Sequence, residues 1–437
     1  MHVDDNLYAD VRAHLVRTIC ASVASLFDVL GPPTNPLVPS PLSGEKFESW
    51  YNHMRKLVGR RFNSRTLSVG MLPHKRAQLV ELLQLWATRV SFDLLEIAHL
   101  LGTLENHTKY ARWARCWCCA LQNAVRRALV ARFHIVQRRF NRRGKELHLR
   151  RELPSALLGR IESLILRERA KLLWTTRQRF TVDIDMKTSI SHLLAYVQAS
   201  ADPWEVPLGL IVPREPHFSS RGDASKAGGG AYCLELRFWF DVIWSPRTVR
   251  GVRDLAPSAD EFVHINSLEF IVVVLQLAAV ITRIRMITPG TAQVYFPTGT
   301  PSIPVWFGET DNTVSKSWEN RATARTSQGQ GLVSVYAELL RVSRVHTQCE
   351  HLAGVKNIIA DDISRNDFSL SLPARAVKLF HKHPCLEPLD YFRPSPELVQ
   401  LLTLRLYSRN IPVPCILPTV LGQFQSVGST TSGSAVL

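Results

Sequence analysis

Four acidic residues in the second half of the chain, Asp223, Glu269, Asp311 and Asp361, stand where an α/β sequence places the ends of its elements. Asp223 precedes a small-residue turn and a strand (GDASKAGGGAY), and Glu269 opens an apolar helix (HINSLEFIVVV). Asp311 ends a strand and meets a helix (VWFGETDNTVSKSW), and Asp361 sits in HLAGVKNIIADDISR. A carboxylate at the end of a buried strand or on a buried helix face is costly unless positive charge compensates it. Several such carboxylates converging would make an all-oxygen site suited to Mg2+ or Mn2+. Two such ions about 4 Å apart can activate a water and stabilise the leaving oxygen of a phosphodiester. Taken singly, each acid is more often a helix cap or the partner of a surface arginine. The adjacent acids Glu309 and Asp362 read as solvated neighbours.

The elements that must position these acids follow from pattern. Beyond residue 200, strand-like runs at 232–244, 292–296, 303–307 and 345–351 alternate with helical runs at 267–285, 313–324 and 332–342. Such alternation predicts an α/β layer domain over about 210–366. The stretch HFSSRG before Asp223 lacks the β-branched apolar residues of a central strand, and residues 286–302 read as an insertion. Upstream, residues 1–72 read as a small α+β unit. Val11, Leu15, Ile19, Val23, Leu26 and Leu30 make one helical stripe that Gly31, Pro32 and Pro33 end. A proline-rich connector, a helical segment near 45–53 and a hairpin around Asn63 and Ser64 follow. From residue 73 to about 174, helical spacing with breaks near Ser91, Gly102 and Gly144 predicts a helical block, so 73–200 forms a second part. Residues 367–437 read as a helical or irregular tail with a disordered Ser/Thr/Gly-rich end.

Charge narrows the partners. Lys and Arg number 53 against 37 Asp and Glu, a net +16 in 437 residues with a pI near 9.8, which points to a polyanion such as a phosphate backbone. Residues 109–180 hold 19 basic side chains and 4 acidic ones, too few acids for local pairing. Arg138, Arg139, Arg142, Arg143, Lys145, Arg150 and Arg151 in this block are the expected nucleic-acid grip. With 46% apolar and 21% charged residues, wholesale disorder, collagen and coiled coil are excluded. Eight scattered cysteines do not form the dense framework of a secreted scaffold, and residues 1–10 carry three acids and no apolar run. An intracellular, non-secreted protein is expected. The apolar run 270–281 falls short of the ~20 residues that span a bilayer and reads as a buried helix, so no membrane partner is expected. Cys116, Cys118 and Cys119 have CxxC spacing without the second pair that structural zinc needs, and read as a buried inert cluster. Trp113 and Trp117 read as core.

The order and surroundings of the four acids carry more than their spacing. The run DAS..G.GA, then IN.LEF, then TDN before a helix, then H..G..N..AD.(I)SR, resembles the ribonuclease H domain of retroelement reverse transcriptases, with DIRS-like elements looking closest. The likeness covers roughly 215–366, and the motif from His351 through Gly354, Asn357 and Asp361 to Arg365 is its most specific part. It implies an RNase H-like α/β domain, a mixed sheet flanked by helices. It also implies that Asp223, Glu269, Asp311 and Asp361 hold two Mg2+ or Mn2+ ions, and that His351 is the mobile-loop histidine linked to proton transfer or product release. The activity implied is endonucleolytic cleavage of the RNA strand of RNA/DNA hybrids.

The likeness reaches the amino terminus. His2, Val3, Asp4 and Asp5, then a helix, a proline-rich turn, Lys46 and Phe47, and the hairpin LVGRRFNSRTLSVGMLPHKR look like the last part of a reverse-transcriptase palm. SFDLLEIAHLLGTL resembles the thumb and connection. Polymerase chemistry needs a third carboxylate and a fingers region besides, so Asp4 and Asp5 are expected to be vestigial and no DNA synthesis is expected of this chain alone. The rival readings are a catalytically inactive nucleic-acid-binding remnant and, less well matched, an integrase or transposase, which uses three acids and lacks HLAGVKNIIADDISR.

Overall fold

The computed structural model describes residues 54–57, 60–63, 68–108, 111–119, 121–123, 179–198, 206–207, 210, 215–257, 259–287, 294–295, 301–324, 326–343 and 345–407. Asp4, Asp5, the stripe 11–30, the proline connector, the segment 45–53, Gly144 and the cluster Arg138, Arg139, Arg142, Arg143, Lys145, Arg150 and Arg151 lie outside the described residues. The chain divides into two compact units, Met1–Leu72 and Pro73–Leu437. In the first, strands Met54–Leu57, Arg60–Asn63 and Ser68–Met71 pair antiparallel in chain order, and the hairpin expected around Asn63 joins the last two.

The second unit opens with helices Pro73–Thr88 and Leu94–Thr108, broken by the short strand Ser91–Phe92, which pairs with Phe180–Thr181. The break expected at Gly102 does not occur; the residue sits mid-helix. Leu100 and Leu104 flank it fully buried, and the packing of that stripe outweighs the ~1 kcal/mol that a helical glycine costs. Nor do the contacts divide the chain near residue 200. Arg112 donates to the carbonyls of Thr347 and Glu319, Asn123 Nδ2 donates to the Ala324 carbonyl at 3.1 Å, and the Arg341 guanidinium lies 5.3 Å from the Tyr196 ring centre.

A six-stranded mixed sheet forms the centre of this unit. Its strands are β1 (Phe218–Ala224), β2 (Gly228–Cys233), β3 (Phe238–Ile243), β4 (Val305–Thr310), β5 (His346–His351) and β6 (Asp390–Tyr391), in the order β5-β4-β1-β2-β3-β6. β1, β2 and β3 are antiparallel neighbours, β4 runs parallel to β1 and to β5, and β6 runs parallel to β3. The helices are α1 (Pro246–Arg253), α2 (Ile265–Ile287), α3 (Thr313–Arg321), α4 (Ser327–Ser343), α5 (Ile358–Ser364), α6 (Leu372–Lys382) and α7 (Pro396–Tyr407). α2 packs on β1 and β2 from one face, with α3 and α4 against it, and α5 packs on β1, β2 and β3.

Two expectations change. The run 232–244 is not one strand: the turn Leu234 to Arg237 separates β2 from β3, with Arg237 at φ 52° and its N–H bonded to the Leu234 carbonyl. LELR carries none of the glycine, proline or asparagine that usually marks such a turn. HFSSRG, although it lacks the β-branched apolar residues of a central strand, forms most of β1 at the centre of the sheet. The α/β layer does not end at 366, because α6 and β6 complete it. Leu379, Leu386 and Leu389 share one buried cluster with Tyr232, Trp239, Ala360 and Ile363.

The apolar run extends into α2, apolar on all sides and therefore buried on all sides. Ile265–Met286 is long and apolar enough to cross a membrane by length and composition, and its window is 89% buried inside the fold, as in a core helix.

Candidate metal centre

Asp223 sits one residue from the end of β1, opposite Gly230 of β2. Glu269 lies in the second turn of α2, and Asp311 follows β4 directly. Their carboxylate oxygens lie within 4.8 Å of one another, on three elements far apart in sequence. Local bonding fixes each. Asn312 caps α3 by accepting from the N–H groups of Val314 and Ser315 at 3.0 and 2.9 Å. Its Nδ2 donates to Asn266 Oδ1 at 2.8 Å, which ties the start of α3 to α2 one turn before Glu269. Ser364 of α5 places its Oγ 2.6 Å from Asp223 Oδ2, and Asn357 Nδ2 donates to the Gly222 carbonyl at 3.1 Å. A Cβ on Gly230 would fall 2.2 Å from Ile363 Cγ2, so only glycine there lets α5 lie this close to the sheet.

The electrostatics are those of crowded, desolvated acids. Asp223 and Glu269 are 5% and 6% exposed. Burial pushes the Asp223 carboxyl up to about 6, with Asp311 and Asp361 adding to the rise and the Ser364 hydroxyl opposing it. Burial also holds Glu269 well above the usual carboxylate range, aided by Asp223 and Asp311, and its Oε2 is buried with no hydrogen-bond partner. Asp311 is raised, first by burial and then by Asp361, while His351 and Arg365 oppose the shift.

Asp361 stands apart from the three. It lies in the first turn of α5, and its Oδ1 is 2.7 Å from Arg365 Nη2. The convergence expected of four carboxylates is therefore one of three, with the fourth near enough to raise the others. His351 ends β5 opposite Thr310, the residue before Asp311, and is exposed. A Cβ on Gly354, in the loop after His351, would fall 3.2 Å from Asp311 Oδ2, so this loop lies against the site.

Glu309 and Asp362 are not the solvated neighbours expected. Arg221 Nε pairs with Glu309 at 2.5 Å, and Asp362 receives Lys382 Nζ and His383 Nε2, each at 2.6 Å. The second pairing docks the end of α6 beside the helix that carries Asp361. Sequence reasoning also missed Ser364 and Asn312 as positioning residues. Their signal was present: Ser364 lies three residues after Asp361 in a helix, hence one turn away.

Cys116 and Cys118 are buried, as expected of the cluster, and Cys119 is half-buried. Burial pushes the Cys118 thiol up to about 12 and Cys116 well above its ordinary value. Trp113 and Trp117 are core residues, Trp117 stacked on His192 at 4.1 Å and Trp113 edge-on to Tyr196. In the basic block, Arg112 is engaged internally by the Thr347 and Glu319 carbonyls, and Arg179 bonds Ser91 and Glu96. No protein-family model, curated protein or solved structure matches the chain.

Proposed function

We propose that residues 215–407 form a ribonuclease H-like nuclease of retroelement origin that cleaves the RNA strand of RNA/DNA hybrids with two divalent ions. One observation carries this reading: Asp223, Glu269 and Asp311 converge in a desolvated spot without a cation paired to each. Such an arrangement is unfavourable in itself and is relieved by a bound cation. The donor set fits the metal. All three groups offer hard oxygens, and the orphaned Glu269 Oε2 is a free ligand atom. Asp223, Glu269 and Asp311 would hold the ions, with Asp361 joining once it leaves Arg365. Bound there, Mg2+ or Mn2+ supplies an activated water and charge stabilisation at the leaving oxygen. The chain's own part is positioning. Ser364 orients Asp223, the Asn266–Asn312 bridge fixes Glu269 relative to Asp311, and His351 stands beside Asp311, where it can move a proton at the rim of the site.

The full chain with labelled RNA/DNA hybrid and Mg2+ or Mn2+ tests the reading. Asp311→Asn should lower cleavage by at least about a hundredfold, the scale on which losing one preorganised electrostatic stabiliser acts. Equal cleavage by variant and parent, or none by either, would sink it. No primer extension is expected, and synthesis that vanishes in Asp4→Asn would overturn that part. The excess of basic over acidic residues in 109–180 would serve phosphate contacts. Replacing Arg138, Arg139, Arg142 and Arg143 together by Ala should make binding less salt-dependent, by about 0.9 in the log–log slope for each phosphate no longer neutralised.

A further inference from the structure

If the site is a metal centre for phosphodiester cleavage, as proposed above, one charged residue beside it still has no task, and the inference about that residue rests on the metal-centre reading. Arg365 caps α5, its backbone N–H bonded to the carbonyls of Asp361 and Ile363, so its Cα is held one turn from Asp361. Its side chain, 67% exposed, pairs with Asp361, 37% exposed, so solvent rather than packing surrounds the guanidinium. Its positive charge also acts on Asp223 and Asp311, so this one side chain touches the electrostatics of three of the four acids. His351 opposes the rise of Asp311 alongside it.

We propose that Arg365 is the site's built-in counter-ion, paired with Asp361 while divalent metal is absent, and that it swings from Asp361 onto a non-bridging oxygen of the substrate phosphate when metal and RNA enter.

The charges favour such a move. Four carboxylates carry at most −4 and two dications supply +4, so a guanidinium among them becomes surplus once they are bound. An exposed i,i+4 ion pair is weak and easily exchanged. A guanidinium also matches phosphate oxygens in a planar, two-point geometry that it cannot use fully on Asp361 through one contact. The fixed Cα limits how far the side chain can travel and keeps it next to the three converged acids, where the scissile phosphate must sit. A side chain this exposed gives up little packing when it departs.

Arg365→Gln and Arg365→Lys in the full chain test this with two readouts. Calorimetric titration with Mn2+ alone should show Arg365→Gln binding roughly two- to fivefold more tightly than the parent, the range an exposed pair is worth, and Arg365→Lys close to the parent. At saturating Mn2+, Arg365→Gln should raise the KM for hybrid, and Arg365→Lys should restore part of it. Unchanged or weaker Mn2+ binding in Arg365→Gln overturns the proposal, and so does an unchanged KM. If the parent binds no Mn2+ at all, the metal-centre reading itself fails, which is a different result from parent binding that ignores Arg365. Asp361→Asn provides the opposite control, since it frees Arg365 yet should weaken Mn2+ binding.

Discussion

Asp223 and Asp241 sit on one row of the same sheet. Gly230 of β2 is the register partner of both, Asp223 on β1 and Asp241 on β3, so their side chains leave the same face two strands apart. Both are almost fully buried, at 5% and 4% exposure. Their surroundings are opposite. Asp241 receives Arg375 through two bonds, Nε at 2.9 Å and Nη2 at 3.2 Å, and the Tyr391 hydroxyl at 2.9 Å. Asp223 receives one serine hydroxyl and faces three other acids. Burial alone therefore says nothing about function in this domain. What separates a structural acid from a candidate ligand is whether the fold supplies the cation: α6 bonds one directly to Asp241, whereas Asp223 feels Arg365 only from a distance.

The comparison breaks first at Arg375. Arg375→Met would leave Asp241 charged and uncompensated in the interior, and should cost about 3 to 5 kcal/mol of stability, read by urea denaturation. Asp241→Asn with Arg375→Met should recover much of that. A cost below about 1 kcal/mol for the single change would mean that Asp241 is no better compensated than Asp223.

Glu319 sharpens the contrast, because it is buried and uncompensated yet stands alone. It is fully buried on α3, neither carboxylate oxygen has a hydrogen-bond partner of good geometry, and burial pushes its carboxyl up to about 7 against an ordinary 4.5. Arg112 opposes the rise from a distance, and the Cys349 thiol and Tyr336 hydroxyl oppose it from closer by without outweighing burial. The folded state thus binds a proton more readily than the unfolded chain, so stability is lost as pH rises from about 4.5 through 7. Glu319→Gln should remove that loss, gaining up to about 3 kcal/mol at pH 8 and nothing near pH 4, read by urea denaturation at both pH values. A pH-independent effect would show that isolated burial does more here than strain the fold.

These contrasts also mark what the sequence could reveal. The four acids stood out through the order and surroundings of their motifs rather than singly, and β5 and helices α2 and α3 follow from ordinary periodicity. β1 does not. Its buried positions are small or polar rather than large and apolar, namely Ser220, Gly222, Asp223 and Ala224: Ser220 accepts from Trp306 Nε1 at 2.8 Å, and a Cβ on Gly222 would fall 2.4 Å from Gln276 Nε2. β2, GGGAYC, is glycine-rich for the same reason, since helices press on the strands from both faces. Here the strand signal is side-chain size, which a hydrophobic period misses. The Arg375–Asp241 pair spans 134 residues, so nothing local announced that α6 and β6 belong to the domain. Asp361 was legible as an acid but not as the partner of Arg365, because an i,i+4 spacing permits the pair without deciding it.

The smallest expected effect is the most discriminating. Asp223→Asn keeps the shape of the side chain and an oxygen for Ser364 while removing one charge from the crowded site. Without divalent metal, the variant should be more stable than the parent by about 1 to 2 kcal/mol at pH 8, since a buried charge facing three like charges is gone. The gain should fade as pH falls below about 6, where the parent's carboxyl takes up its own proton in the fold. Metal should then reverse the order. A parent that binds Mn2+ gains about 1.4 kcal/mol at ten times its Kd, and a variant that has lost a ligand gains less. Thermal unfolding of both chains with and without Mn2+ reads the whole cycle. A variant that stays the more stable at every Mn2+ concentration would place Asp223 with Glu319, a strained acid with no ligand to hold. A variant less stable even without metal would place it with Asp241, an acid that the fold needs charged.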